Sequence, residues 1–291
     1  GDEVTVERNV EAFRARVLLP RIFRDVSSVD TSTRFLGTEV ALPVGLAPLA
    51  QQGLAHRDGE VASARAARDA GVMLCLSTLS SKSLEDVASV GEAPRWFQLY
   101  LNRDRAVSRD LIARARAAGY RAVVVTADLP RPGYRERELR HPVVHGDDFP
   151  FGNFAGDASA GSSLTALLEW VVDSSPTWDD LEWVCSVAEV PVLVKGVLTP
   201  EDARLAVAHG AAGVVVSNHG GRQLDRTPAA LDVLEDVVVA ADGAEVYVDG
   251  GVRRGVDVVT ALALGATGTF VGRPYAFALA AGGAAGVARA L

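Results

Sequence analysis

The sequence predicts an α/β fold, a (β/α)8 TIM barrel, from three observations. Short apolar runs rich in Val, Leu and Ile recur eight times. Each is followed by an amphipathic segment rich in Ala, Arg and Glu, the alternation that builds parallel sheets covered by helices. Polar residues gather where the strands end, which in a barrel is one rim. A doubly wound open sheet is the competing architecture, and it would spread those ends along a crevice. A chain of 291 residues, 48% hydrophobic and 23% charged, is large enough to fill one barrel.

The first strand is expected at 44–48, stopping at Pro48-Leu49-Ala50, and helix 58–70 follows, closed by Gly71. Strand 72–77 leads into helix 83–89, started by Ser81 or Ser83 with Glu85 in the first turn. Strand 96–100 precedes helix 105–118, closed by Gly119, and strand 122–126 comes next. Helix 178–188 covers that fourth strand after a long interruption. Strand 192–195 feeds helix 200–209, with Thr199 as cap, Pro200 in the first turn and Gly210 beyond the end. Strand 213–217 precedes helix 228–241, strand 245–249 precedes helix 255–264 with Gly265, and strand 268–272 precedes helix 275–290. The chain reads as one domain, 1–291. Residues 1–43 are expected to cap the barrel bottom or side. Residues 131–176, rich in Gly, Asp and Ser, are expected to form a lid-like loop after strand four.

Composition narrows the function. The net charge is -8 with a pI near 5.2, and no basic patch stands out, which argues against a nucleic-acid partner. No apolar run reaches the ~18–20 residues that span a bilayer, and no signal peptide is visible, so a cytoplasmic protein with no membrane partner is expected. Cys75 and Cys185 stand alone in apolar segments and read as buried thiols of a reducing compartment.

The chemistry concentrates at strand ends. Strand two ends in Ser77, strand three in Gln98 and Tyr100, strand four in Thr126 and Asp128, and strand five in Lys195. Strand six runs into Ser217-Asn218-His219-Gly220-Gly221-Arg222-Gln223-Leu224-Asp225. His219 and Arg222 place a base beside a fork for a carboxylate, a pair suited to taking a proton from a small anionic substrate. Asp249-Gly250-Gly251-Val252-Arg253 and Gly272-Arg273-Pro274 end strands seven and eight. Two Gly-bearing turns, two guanidinium groups and a helix N-terminus make a phosphate site where barrels keep one. Lys195 suits either a Schiff-base nucleophile or a fixed cation beside an anionic cofactor, so pyridoxal phosphate and flavin mononucleotide (FMN) both stay open on these residues alone.

Together the segments Leu46-Ala47-Pro48, Trp96 to Tyr100, Thr126-Ala127-Asp128, Leu193 to Gly196, Ser217 to Asp225, Asp249 to Arg253 and Val271 to Pro274 resemble the FMN-dependent 2-hydroxy-acid oxidases and dehydrogenases. The resemblance runs from Asn9 to Ala290 and implies bound FMN and a homo-oligomer, a tetramer by family habit. It implies that His219 is the base, Asp128 its orienting carboxylate, and Arg135 and Arg222 the substrate-carboxylate clamp. Tyr100 would bond the substrate hydroxyl. Lys195 would sit beside flavin N1 and O2. Ser77, Gln98, Thr126 and Ser217, with the Pro48, Leu49 and Ala50 backbone, would hold the ring; Asp249 would hold the ribityl chain; Gly251, Arg253, Gly272 and Arg273 would hold the phosphate. Leu79 stands where glycolate-type members have Trp, which implies room for an aryl side chain and so (S)-mandelate or 4-hydroxymandelate, oxidised to the 2-oxo acid while O2 becomes H2O2. A dehydrogenase passing electrons to a quinone or protein, or a small acid such as lactate or glycolate as substrate, are the alternatives. No Tyr precedes Asn9, although the family carries one there, and residues 131–176 lack the apolar insert of membrane-bound relatives.

Overall fold

The computed structural model describes residues 1–141, 151–154, 171–173 and 175–291. The chain starts with helix α1 (Val4–Arg14) and a hairpin of β1 (Thr33–Phe35) and β2 (Thr38–Val40). Eight parallel strands then close a barrel: β3 (Val44–Leu46), β4 (Met73–Ser77), β5 (Arg95–Leu99), β6 (Val123–Thr126), β7 (Val192–Val197), β8 (Gly213–Val216), β9 (Glu245–Asp249) and β10 (Gly268–Val271). Neighbours in sequence are neighbours in space, and β10 closes on β3 with Thr269 opposite Val44. The α/β barrel expected from the alternation is the fold.

The helices between them are α2 (Gly59–Ala70), α3 (Leu84–Ala88), α4 (Arg105–Ala117), α5 (Glu136–Arg140), α6 (Trp178–Ala188), α7 (Pro200–Ala208), α8 (Leu234–Ala240), α9 (Gly255–Ala263) and α10 (Arg273–Ala290). Local chemistry sets several starts. Ser83 accepts the Asp86 N–H and Thr199 accepts the Asp202 N–H, satisfying otherwise orphaned donors. Most expected boundaries fall within two residues. The helix expected at 228–241 is the exception, because a 3-10 turn (Ala230–Val233) precedes α8 and Pro228 lies outside both. The expected 275–290 helix starts at Arg273 and bends at Gly282 and Gly283.

Inside the barrel, period-two alternation stacks an apolar floor beneath a polar layer. Cys75, Trp96, Val124, Leu193, Val215 and Tyr247 belong to one buried cluster with Phe270. Two residues on, each strand or strand end presents Ser77, Gln98, Thr126, Lys195, Ser217 or Asp249. In register, Ser77 lies opposite Gln98 and Thr126 opposite Lys195. The floor is plugged from below by Phe35 of the hairpin, fully buried, with its ring edge-on to Tyr247 at 4.8 Å. Glu245 locks the plug by accepting the Leu36 N–H at 2.8 Å and the Tyr247 hydroxyl.

The segment before the first barrel strand therefore divides. The hairpin seals the bottom, whereas α1 lies at the opposite rim against the turns that follow β8. That corrects the expectation of a cap at the bottom or side alone: Asn9, Ala12 and Phe13 are buried at the rim, where α1 finds its partner surface. Within 131–176, α5 and a 3-10 turn (Gly152–Phe154) are described, and the remainder of the expected lid at 142–150, 155–170 and 174 lies outside the described residues. Among the described residues no helix is long and apolar enough to cross a membrane. Both cysteines are free thiols, Cys75 buried and Cys185 half-buried.

Candidate active site

The polar rim is wired across strands. At its centre, the Lys195 ammonium donates to Ser217 Oγ at 3.0 Å, and Ser217 Oγ donates to Asp249 Oδ1 at 2.6 Å. Lys195 lies 3.6 Å from Asp249 and 3.9 Å from Asp128. Burial opposes a lysine charge, but Asp128 and Asp249 outweigh it, so the Lys195 pKa lies above its ordinary value. This lysine is a fixed cation. A Schiff-base role would need a depressed pKa, and the carboxylates work against that.

His219 Nδ1 sits 2.8 Å from Asp128 Oδ1. A carboxylate only accepts, so the proton belongs on Nδ1 and Nε2 is left as the acceptor of a neutral ring. Burial and then Lys195 pull the His219 pKa below its ordinary value, while Asp128 pulls the other way. For Asp128 itself burial works upward, yet Lys195 and His219 hold it low, so it stays a carboxylate. The resting pair is thus neutral imidazole beside carboxylate, the state a general base needs.

Backbone strain brings this pair together. His219 has φ 58°, an αL conformation costing a residue with a Cβ about 1–2 kcal/mol. Its N–H is held by Ser217 Oγ at 3.0 Å. Opposite, Gly196 has φ 111° at the bulge between β7 and β8, and a Cβ there would lie 2.6 Å from Asp128 Cβ. Only glycine lets Asp128 come this close.

Tyr100 is buried, and its N–H donates to Thr78 Oγ1 at 3.1 Å. Burial pushes its phenol up to about 12, with Lys195 opposing and Asp128 reinforcing, so the hydroxyl keeps its proton and can donate. Arg135 reaches the same neighbourhood: Nε donates to the Arg222 carbonyl at 3.2 Å and Nη2 to Gln223 Oε1 at 3.3 Å. Gln223 also donates to the Asp128 carbonyl at 3.1 Å, tying the segment after β6 to the turn after β8. Arg273 donates to the Gly220 carbonyl at 3.0 Å. Burial, then the like charges of Arg222 and Arg253, lower its pKa, a sign of crowded cations suited to an anion.

Ser77, Gln98, Thr126, Lys195, Ser217, Asp249, Asp128 and His219 thus meet at one rim, with Tyr100, Arg135, Arg222 and Arg273 beside it. Pro48, Leu49 and Ala50 follow β3 and are partly or well exposed, Gly272 precedes α10, and exposed Arg253 follows β9. Leu79 is the outlier. It is 3% exposed, packs within the main apolar cluster, and its carbonyl accepts the Gln51 N–H. Sequence reasoning passed over Gln223, Asn218 and Asn9. The first two lie inside the Ser217–Asp225 stretch, so their amides were available as a signal; Asn9 carried none.

These residues fit FMN. Gln98 Oε1 accepts from Ser77 Oγ and the Thr78 N–H, each at 3.2 Å, while its buried Nε2 has no partner among the described residues. An orphaned buried donor costs about 1–3 kcal/mol, which a ring carbonyl would relieve. Lys195 would place a cation beside the ring. The turns at Gly250-Gly251 and Gly272, with Arg253, Arg273 and the start of α10, would offer donors to its phosphate.

Residues 1–291 match the family model described as FMN-dependent dehydrogenase. The chain belongs to this family. It is 49% identical to glycolate oxidase 1 of Zea mays, and 46% identical to glycolate oxidase of Spinacia oleracea, covering all of this chain and 80% of either relative. A crystal structure of mandelate oxidase with (S)-4-hydroxymandelic acid superposes with TM-score 0.92 at 44% identity, over 99% of this chain and 83% of that one. A lactate oxidase of Pediococcus acidilactici superposes with TM-score 0.92 at 37% identity, over 99% and 78%. The chain is an FMN-dependent enzyme of the 2-hydroxy-acid oxidase family, and FMN is its cofactor.

Proposed function

We propose that this enzyme oxidises an aryl (S)-2-hydroxy acid, mandelate or 4-hydroxymandelate, to the 2-oxo acid, with O2 converted to H2O2. The observation that carries the reading is the His219–Asp128 pair at 2.8 Å, set among one buried lysine, one protonated tyrosine and two linked arginines. Arg135 and Arg222 bind the substrate carboxylate through charge-assisted bonds. Tyr100 donates to the substrate hydroxyl. Neutral His219 takes a proton at Nε2, and Asp128 stabilises the imidazolium that results. FMN, when bound, supplies the acceptor for the two electrons. Ser77, Gln98, Thr126 and Ser217, with the 48–50 backbone, would hold its ring. Lys195 would lie beside the ring as a fixed cation, Asp249 would hold the ribityl chain, and Gly251, Arg253, Gly272 and Arg273 would hold the phosphate.

The likeness to the 4-hydroxymandelate-bound structure supports the aryl choice. A small aliphatic acid is the second reading, favoured by the 49% identity to maize glycolate oxidase. We also propose a homo-oligomer, supported by the exposed apolar strip of Val17, Leu19, Ile22, Phe23, Val26 and Val29, and a cytoplasmic setting, supported by the two free thiols.

The deciding experiment adds (S)-mandelate, lactate and glycolate anaerobically to the yellow holoenzyme and follows the flavin absorbance. Mandelate is expected to bleach it fastest, and admitted O2 to restore the colour with stoichiometric H2O2. No bleaching by any of the three overturns the function, and faster bleaching by glycolate overturns the aryl choice. His219→Ala is expected to keep FMN and bleach about 10²–10⁴-fold more slowly.

A further inference from the structure

The turn that carries His219 holds three consecutive left-handed residues, His219, Gly220 and Gly221, with φ of 58°, 64° and 74°. Such a run persists only where its surroundings over-determine it. The Gly221 N–H is shared between the Asn218 carbonyl at 3.0 Å and Asn218 Oδ1 at 3.1 Å, so the Asn218 side chain reinforces the turn. Asn218 is in turn set by α1. Each of Asn9 and Asn218 donates Nδ2–H to the other's Oδ1, both at 2.8 Å, and both residues are buried. The Asn218 amide is further fixed by donating to the Pro228 carbonyl at 2.9 Å, and Asn9 Oδ1 also accepts the Ala230 N–H at 3.4 Å. The same Asn9 lies beneath the candidate phosphate turn: a Cβ at Gly251 would come within 2.1 Å of its carbonyl oxygen. At the far end of the catalytic stretch, Asp225 accepts the Thr5 N–H at 2.9 Å and so anchors the start of α1.

We propose that Asn9 is a positioning residue for the reaction, joining the turn that carries His219 to the turn that holds the FMN phosphate. Asn9 touches neither substrate nor the reacting atoms. It acts by fixing Asn218, and through Asn218 the direction of the His219 ring. Burial by the elements around His219 keeps its imidazole neutral, and the charged groups facing it are Asp128 after β6, Lys195 on β7 and Asp249 on β9. A turn loosened by loss of the amide pair admits water to that ring.

The proposal rests on the function stated above, and its test separates the two. Holoenzymes of wild type, Asn9→Leu, Asn9→Asp and Ala12→Gly are compared. Ala12→Gly weakens α1 without removing a hydrogen bond, so it reports on stability alone. Anaerobic flavin reduction is measured at saturating (S)-mandelate across pH, and FMN release on dilution is followed by flavin fluorescence. Both Asn9 variants are expected to reduce about tenfold to a hundredfold more slowly than wild type. Their acid limb should move to higher pH and their FMN should leave faster, with Ala12→Gly matching wild type in all three. A wild-type rate and limb in Asn9→Leu and Asn9→Asp overturns the positioning role. So does reproduction of the changes by Ala12→Gly at equal loss of Tm. Wild-type holoenzyme that no 2-hydroxy acid reduces overturns the function instead, and FMN release still tests Asn9.

Discussion

Asp128→Asn removes one negative charge while keeping a side chain of the same shape 2.8 Å from the His219 ring. The amide oxygen can still accept the Nδ1–H, so the tautomer survives. What is lost is the charge that stabilises the imidazolium formed when His219 takes its proton. Asp128 is only 12% exposed, so solvent does little to replace that charge. A hydrogen bond to a charged group is worth about 1.5–3 kcal/mol. At tenfold per 1.4 kcal/mol, flavin reduction should slow about 10- to 150-fold. The pH profile carries a second signature with a definite sign. His219 must be neutral to act, so activity is lost as pH falls through its pKa. Asp128 raises that pKa against burial and Lys195, so removing the charge lowers it further. The acid limb of kcat/KM should therefore move to lower pH while the plateau falls. Anaerobic stopped-flow reduction across pH measures both. A plateau within threefold of wild type, or a limb that moves to higher pH, refutes the assigned partnership.

Arg222→Met or Arg135→Met should raise KM and slow reduction, each losing about 1.5–3 kcal/mol of carboxylate binding. Lys at either position should rescue only in part for want of the fork; steady-state kinetics and 2-oxo acid binding are the checks. Leu79→Trp should penalise mandelate over lactate by about 1–3 kcal/mol through overpacking, read as the ratio of kcat/KM for the two acids. An unchanged ratio would mean that Leu79 does not set substrate size. Phe35→Ala should cost about 3–5 kcal/mol of stability, because the fully buried ring plugs the barrel floor between Trp96, Tyr247 and Phe270. Denaturant unfolding measures that cost, and a loss under 1 kcal/mol would mean that the hairpin does not hold the floor.

The barrel was legible because its signals are local. Apolar runs of four to six residues, caps such as Thr199-Pro200 and the alternation of periods all lie within one unit of chain. The rim was legible for the same reason: period two places Lys195, Ser217 and Asp249 one step above Leu193, Val215 and Tyr247, so strand assignment alone gathered them. Other features depend on contacts between segments far apart in sequence, which no local pattern encodes. The pairing of Asp128 with His219 spans 91 residues and requires glycine at 196 and a left-handed turn at 219. The place of α1 at the rim depends on Asn9 meeting Asn218 across 209 residues. The direction of each shifted pKa rests on which charges share a buried volume. Sequence determined the barrel and the chemical types at its mouth. Tertiary structure decided which of them touch, because hydrogen bonds and burial depend on distance through space.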